Sequence, residues 1–297
     1  MPTHANPCQP MPTRSDVLEK YFDRFLILCA LLAFALFHVA ATPILAAGEH
    51  ASAPNIPLTG YCSNPNPHCY AEITWQGHTG GTTTVINPYG DLNCSGCQGF
   101  IDNETWFLDP NSSQCTSTQY GACWVEAGIT TRPSNASPDC NPGQNSVCLF
   151  WADSRPGSGG FNEHMIYTFG GYGVNLLPYV IYVYITNHNS FSSQGSTWDV
   201  STLIYKYGTL VSQPGGQSTN NQMNVDDIQI GSELSDSNGS AGPFYFQDNE
   251  WLNGSGVFQY QTGTGKNTST NPPPNGFWYQ SPCNCGGNTG GQWETYD

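Results

Sequence analysis

Two short segments each place a single glutamate inside an apolar run that alternates as a strand does. They are Cys123-Trp-Val-Glu126-Ala-Gly-Ile129 and Ile228-Gln-Ile-Gly-Ser-Glu233-Leu234. Successive side chains of a strand point to opposite faces. Val125, Ala127 and Ile129 therefore share an apolar face, and Glu126 shares the other with Trp124. In the second segment Ile228, Ile230 and Leu234, with small Ser232, form the apolar face and leave Glu233 with Gln229 and Asp227. Two neighbouring carboxyls do not readily ionise together, so they share a proton near acidic pH. The ionised one can take a proton from water, while the neutral one polarises a carbonyl or protonates a leaving amine. Gln229 is a candidate donor to the developing oxyanion and Trp124 a candidate wall against solvent; both residues also suit plain packing.

Rival chemistries lack their residues. There is no H-E-x-x-H, and Gly239-Ser-Ala-Gly242 lacks the leading glycine of a G-x-S-x-G elbow. After the apolar N-terminal stretch only His50, His68, His78, His164 and His188 remain as bases for a serine or cysteine triad. Asp236-Ser-Asn-Gly-Ser240 begins like a calcium loop, but its twelfth position is Gln247, so it reads as a turn. Cys94-x-x-Cys97 and Cys283-x-Cys285 have no second CxxC and no adjacent histidine. No metal and no other cofactor is expected.

Arg14, Lys20 and Arg24 (residues 1–24, a basic region) precede an apolar stretch at 25–47 that ends in Ala46-Ala47-Gly48. These are the parts of a secretory signal. The stretch is also long enough to remain as a membrane anchor, the only membrane contact expected. The basic flank sends the rest outward in either case, so the chain is expected to be secreted or to carry residues 48–297 outside the membrane. The cysteines suit that compartment: Cys62, Cys69, Cys94, Cys97, Cys115, Cys123, Cys140, Cys148, Cys283 and Cys285 allow up to five disulfides, of unspecified pairing. From Gly48 onward 19 acidic residues face only Arg132, Arg155, Lys206 and Lys266. Such a surface repels phosphate backbones and excludes nucleic acid as a partner.

Residues 48–60, with Pro54 and Pro57, read as a linker, and 61–297 as one β-sandwich domain. Strand-like runs recur between turn residues at Cys69–Trp75, Thr82–Ile86, Glu104–Leu108, Cys123–Ile129, Cys148–Trp151, His164–Phe169 and Tyr179–Thr186. Further runs are Thr197–Tyr205, Gly208–Ser212, Asp226–Glu233, Phe244–Phe246 and Val257–Gln261. This is the pattern of an all-β, antiparallel double-sheet sandwich of jelly-roll or concanavalin type. Tyr179–Ile185 is apolar on both parities and is expected mid-sheet, covered on both faces. Lys206-Tyr-Gly208 reads as a hairpin turn, and Gly263–Asn275 as a polar loop.

The segments Gly99-Phe-Ile-Asp-Asn-Glu-Thr-Trp-Phe-Leu108, Trp124-Val-Glu-Ala-Gly128 and Leu149-Phe-Trp-Ala-Asp153 follow one another in that order. Trp198-Asp-Val-Ser-Thr-Leu-Ile-Tyr205 and Asp227-Ile-Gln-Ile-Gly-Ser-Glu-Leu234 come next. Together they resemble the neprosin family of plant glutamic peptidases, with its ordered "(Q)xWV", "EAGW", "LFxYWTxD", "YDISILIW" and "IEWGGEV" motifs. Ile129 stands where that family has the Trp of "EAGW", and Ser232 where it has its second Gly. The resemblance implies a two-sheet fold, a polypeptide substrate and a catalytic pair at Glu126 and Glu233. The expected protein is thus a monomeric, secreted, acid-active peptidase. The alternative is a non-catalytic sandwich that binds carbohydrate or serves at a cell surface, with Trp251, Trp278, Tyr279 and Trp293 as rings to stack on sugars.

Overall fold

The computed structural model describes residues 69–90, 92–93, 100–111, 123–132, 145–154, 161–234, 240–241, 244–261, 266–270, 279–282 and 293–296. All of these belong to the unit Asn55–Asp297. The segments read above as basic region, signal and linker (1–24, 25–47 and 48–60) lie outside the described residues. Stretches rich in Thr, Val, Ile, Tyr and Trp, broken by Gly, Pro and Asn, favour strands, and among the described residues there is no helix.

In chain order the strands are β1 (Cys69–Gln76), β2 (Gly81–Pro88), β3 (Leu92–Asn93), β4 (Ile101–Asp109), β5 (Cys123–Arg132) and β6 (Ser146–Ser154). Then come β7 (Phe161–Gly171), β8 (Tyr179–Asn187), β9 (Gln194–Lys206), β10 (Thr209–Ser212), β11 (Gly215–Asn224) and β12 (Asp227–Leu234). The last are β13 (Ser240–Ala241), β14 (Phe244–Leu252), β15 (Phe258–Tyr260), β16 (Lys266–Thr270), β17 (Tyr279–Pro282) and β18 (Trp293–Tyr296). Two antiparallel sheets form a sandwich. One has seven strands in the order β16-β1-β12-β4-β5-β6-β7. The other has nine, β10-β9-β8-β2-β14-β18-β17, with β11 on β9 and β15 on β14; β3 and β13 pair separately.

The inward residues of both sheets make one core. Phe107 of β4 meets Trp198 of β9 edge to face at 5.2 Å between ring centroids, and neither ring has exposed surface. Trp75 of β1 stacks on Trp251 of β14 at 5.1 Å. Such aromatic pairs add about 0.5–1.5 kcal/mol each to the area they bury.

Every strand-like run read from the sequence overlaps an observed strand. At the β9–β10 hairpin both Tyr207 (φ 50°) and Gly208 (φ 73°) are left-handed, as the two central residues of a type I′ turn require. Two readings are corrected, and one strand is new. β8 does lie inside its sheet, but only Tyr179, Ile181, Val183 and Ile185 are buried, while Val180, Tyr182 and Tyr184 remain half-exposed. Its second face is aromatic and only half-covered, Tyr182 lying against Tyr205 and Tyr184 against Phe258. The polar stretch Gly263–Asn275 contains β16, paired with β1. β11 was not foreseen, because Gly-Gly-Gln-Ser-Thr-Asn-Asn-Gln-Met-Asn shows no apolar alternation. It docks through polar groups: Ser218 donates to Asp153 of β6 at 2.6 Å, and the Asn221 amide donates to the Trp124 carbonyl of β5 at 2.8 Å.

Candidate active site

The seven-stranded sheet sets β12, β4 and β5 side by side. On β5 the side chains of Val125, Ala127 and Ile129 enter the core, which turns Trp124, Glu126 and Gly128 to the opposite face. Ile228 and Ile230 do the same for β12, turning Asp227, Gln229, Gly231 and Glu233 to that face. β4 presents Asp102, Glu104 and Trp106 between them. The register fixes three cross-strand rows. Gln229, Trp106 and Glu126 form one; Gly231, Glu104 and Gly128 the next; Glu233, Asp102 and Thr130 the third. Glu126 and Glu233 thus share a face, two strands and four residues apart in register, with Glu104 on the strand between them.

The glycines have a reason to be there. A Cβ on Gly128 would strike the Glu104 Cα and Cβ and the Asn103 carbonyl oxygen. Glycine at 128 is what lets the β4 backbone and the root of Glu104 lie against β5.

Burial and mutual charge dominate the electrostatics. Glu104 has no exposed surface, and Asp102 and Glu233 are each 6% exposed; Glu126 and Gln229 are only partly buried. Burial first, then the negative charges of Glu233 and Asp102, hold the Glu126 carboxyl well above the usual carboxylate range. A hydrogen bond from the Trp106 side chain acts in the opposite sense by favouring the ionised form. Glu104 is also raised, by burial and then by Glu126, Asp102 and Glu233. At the end of β12, burial raises Asp227 to about 7, aided by Asp226 and Glu72, against a hydrogen bond from Gln229. The Gln229 amide is therefore anchored on Asp227, and its second N–H is available for another acceptor.

Trp124 lies two residues from Glu126 on the same face, in a small apolar group with Phe150, Ala152, Leu108 and Met165. The carboxyls thus stand between a polar row toward β12 and an apolar wall toward β6 and β7. Asp102 and Glu104 were missed as site residues. Their signal was parity again: Asp102, Glu104 and Trp106 alternate with Asn103, Thr105 and Phe107. Because Asn103 and Thr105 are polar yet buried, β4 showed no clean apolar face. Of the ten outer cysteines, Cys123 and Cys148 are disulfide-bonded; the pairing of the whole set lies outside the described residues. Trp251, one of the rings offered for sugars, packs against the core and Trp75.

No family model matches the chain, and no curated protein matches it. Among solved structures it is similar to scytalido-glutamic peptidase with a transition state analog inhibitor, at TM-score 0.48 and 9% identity, over 77% of this chain and 98% of that one. It is also similar to SCP-B, a member of the eqolisin family of peptidases in complex with the tripeptide Ala-Ile-His, at TM-score 0.45 and 9% identity, over the same shares. Porphyranase B from Zobellia galactanivorans follows at TM-score 0.30 and 7% identity, over 55% of this chain and 54% of that one. Likeness at this level leaves the chemistry to be read from this chain's own residues.

Proposed function

We propose that the chain is a secreted, acid-active peptidase that activates water with the Glu126 and Glu233 carboxyls. The observation that supports this most directly is the Glu126 carboxyl itself. It is partly exposed, hydrogen-bonded by Trp106, and held in its neutral form above the usual range by burial and then by the charge of Glu233. A neutral carboxyl facing substrate is a proton donor, and a carboxylate nearby is a base.

In the proposed reaction Glu233 takes a proton from water as the water oxygen bonds to the scissile carbonyl carbon. The Glu126 hydroxyl and the free Gln229 N–H donate hydrogen bonds to the carbonyl oxygen as it gains negative charge. The C–N bond then breaks as Glu126 gives its proton to the leaving amine. Glu233 then gives its proton to water and Glu126 takes one from water, so both groups return to their starting states. Trp124 and its apolar neighbours keep that side of the site dry.

Purified protein should digest an acid-denatured protein substrate at about pH 3–5, and Glu126→Gln and Glu233→Gln should each abolish the digestion. Digestion that survives Glu126→Gln removes the assignment. Digestion that survives Glu233→Gln but not Gln229→Ala would move the second working group to Gln229, along the Trp106 row.

A further inference from the structure

Asp102, Glu104 and Glu233 each bring one carboxylate oxygen to within 4.8 Å of the other two. Asp102 and Glu233 face each other across the β4–β12 pairing, and Glu104 stands two residues along β4 on the same side. All three are buried, and Glu104 completely so. Both Glu104 oxygens are enclosed without a hydrogen-bond partner. The side positions on either strand offer none, being Gly128 and Gly231. Among the described residues, every charged group acting on Glu104 is another carboxyl: Glu126, Asp102 and Glu233. An enclosed carboxylate without donors or a counter-charge costs several kcal/mol, so such a group is stabilised either by a proton or by a cation held between the three carboxyls.

We propose that Asp102, Glu104 and Glu233 bind one hard divalent cation of calcium size. A set of carboxylate oxygens, with no histidine or cysteine, suits calcium, magnesium or manganese rather than zinc or copper. Geometry then discriminates: calcium accepts irregular coordination by protein oxygens, whereas magnesium demands a near-ideal octahedron and holds on to its waters. Glu104 has two unengaged oxygens and can bind through both, while Asp102 and Glu233 each supply one. Waters or backbone carbonyls complete the shell, as calcium's flexible coordination allows.

The site shares Glu233 with the proposed reaction. A cation there withdraws the carboxylate that would accept the proton of water, so calcium inhibits the digestion. That consequence rests on the peptidase reading; the binding itself does not.

The test is calorimetric titration of calcium chloride into the full, chelator-treated protein at about pH 7.5, since carboxyls must give up their protons to bind a cation. The expected result is saturable binding of one ion, at least tenfold weaker for magnesium chloride. Glu104→Gln, which keeps the shape and can hydrogen-bond, should weaken calcium binding at least tenfold and cancel the rise in Tm that calcium gives the parent. Asp199→Asn, on the other sheet, should leave binding intact, which separates this site from general attraction to an acidic chain. Absence of saturable binding, or binding that Glu104→Gln leaves unchanged, overturns the site. Calcium binding without digestion at any pH would reject the peptidase reading alone; digestion without calcium binding would reject the cation site alone.

Discussion

Trp106 of β4 stands directly opposite Glu126 of β5, and its side chain hydrogen-bonds to the Glu126 carboxyl. The indole N–H is a donor only, so it favours the ionised carboxyl over the neutral one. Burial and the Glu233 charge push the other way and prevail. Trp106→Phe keeps most of the buried ring and removes the donor. With the opposing hydrogen bond gone, the Glu126 carboxyl should rise further. The alkaline limb of the kcat/KM profile for protein digestion should move to higher pH, with the acid form persisting longer. A limb that moves down or stays in place would show that Glu126 is not the acid reported by that profile.

Gly128→Ala probes the space beside Glu104. The added methyl would meet backbone and Cβ atoms of β4, not the end of a flexible side chain. Neither strand can yield easily, because β5 is paired on its other edge with β6, and β4 with β12. Overpacking of this kind costs about 1–3 kcal/mol, and about 2–4 °C in Tm per kcal/mol is expected for a domain of this size. Thermal unfolding of the variant several degrees below the parent would agree. An unchanged Tm would mean that the β4–β5 spacing relaxes at no cost.

Asp227 gives the fold a pH dependence of defined sign. Its carboxyl titrates at about 7 in the folded chain, chiefly through burial, and near 3.9 when unfolded. Between those values the folded chain holds a proton that the unfolded one has lost, so stability falls as pH rises through that window. Above about 7 the whole penalty is present. Asp227→Asn keeps an acceptor for Gln229 and removes the charge. It should raise Tm at pH 8 by a few degrees, taking about 1 kcal/mol after discounting the shift for partial solvent screening. At pH 4 it should change little. A larger gain at pH 4 than at pH 8 would contradict the assignment.

Parity made half of the site legible. Alternation alone puts Glu126 with Trp124, and Glu233 with Gln229, on non-core faces, because a two-residue period needs no knowledge of partners. Register does depend on partners. That β4 would lie between β5 and β12, and that Trp106 would face Glu126 while Asp102 faced Glu233, followed from strand order, which no local pattern encodes. Glu104 was hidden for a related reason. Its strand buries polar residues on both faces, so its parity carried no apolar mark, and the glycines that flank it come from two other strands. The sequence patterns that mark metal sites are spaced histidines and cysteines or a contiguous calcium loop. A carboxylate set assembled across two strands leaves no such spacing.

β11 shows the same limit and offers a direct test. Apart from Met223, which is buried in the core, its hold on the seven-stranded sheet is made by hydrogen bonds. Asn221 is fully buried. Its amide donates to the Trp124 carbonyl at 2.8 Å, its own carbonyl accepts from the Trp198 indole at 3.0 Å, and the Trp124 N–H donates to Ser154 at 2.8 Å. This end of β5 is therefore tied down by side chains, two residues from Glu126. Asn221→Ala would take from the Trp124 carbonyl its shorter side-chain donor, leaving the Ser154 hydroxyl at 3.4 Å, and open a small void. Removing one partner of a buried pair costs about 1–3 kcal/mol, so Tm should fall by several degrees at about 2–4 °C per kcal/mol. Amide exchange should quicken at Cys123 and Trp124 before it does at Ile129, since only the strand end loses its tie. Uniform exchange along β5, or an unchanged Tm, would show that β11 contributes nothing to holding the strand that carries Glu126.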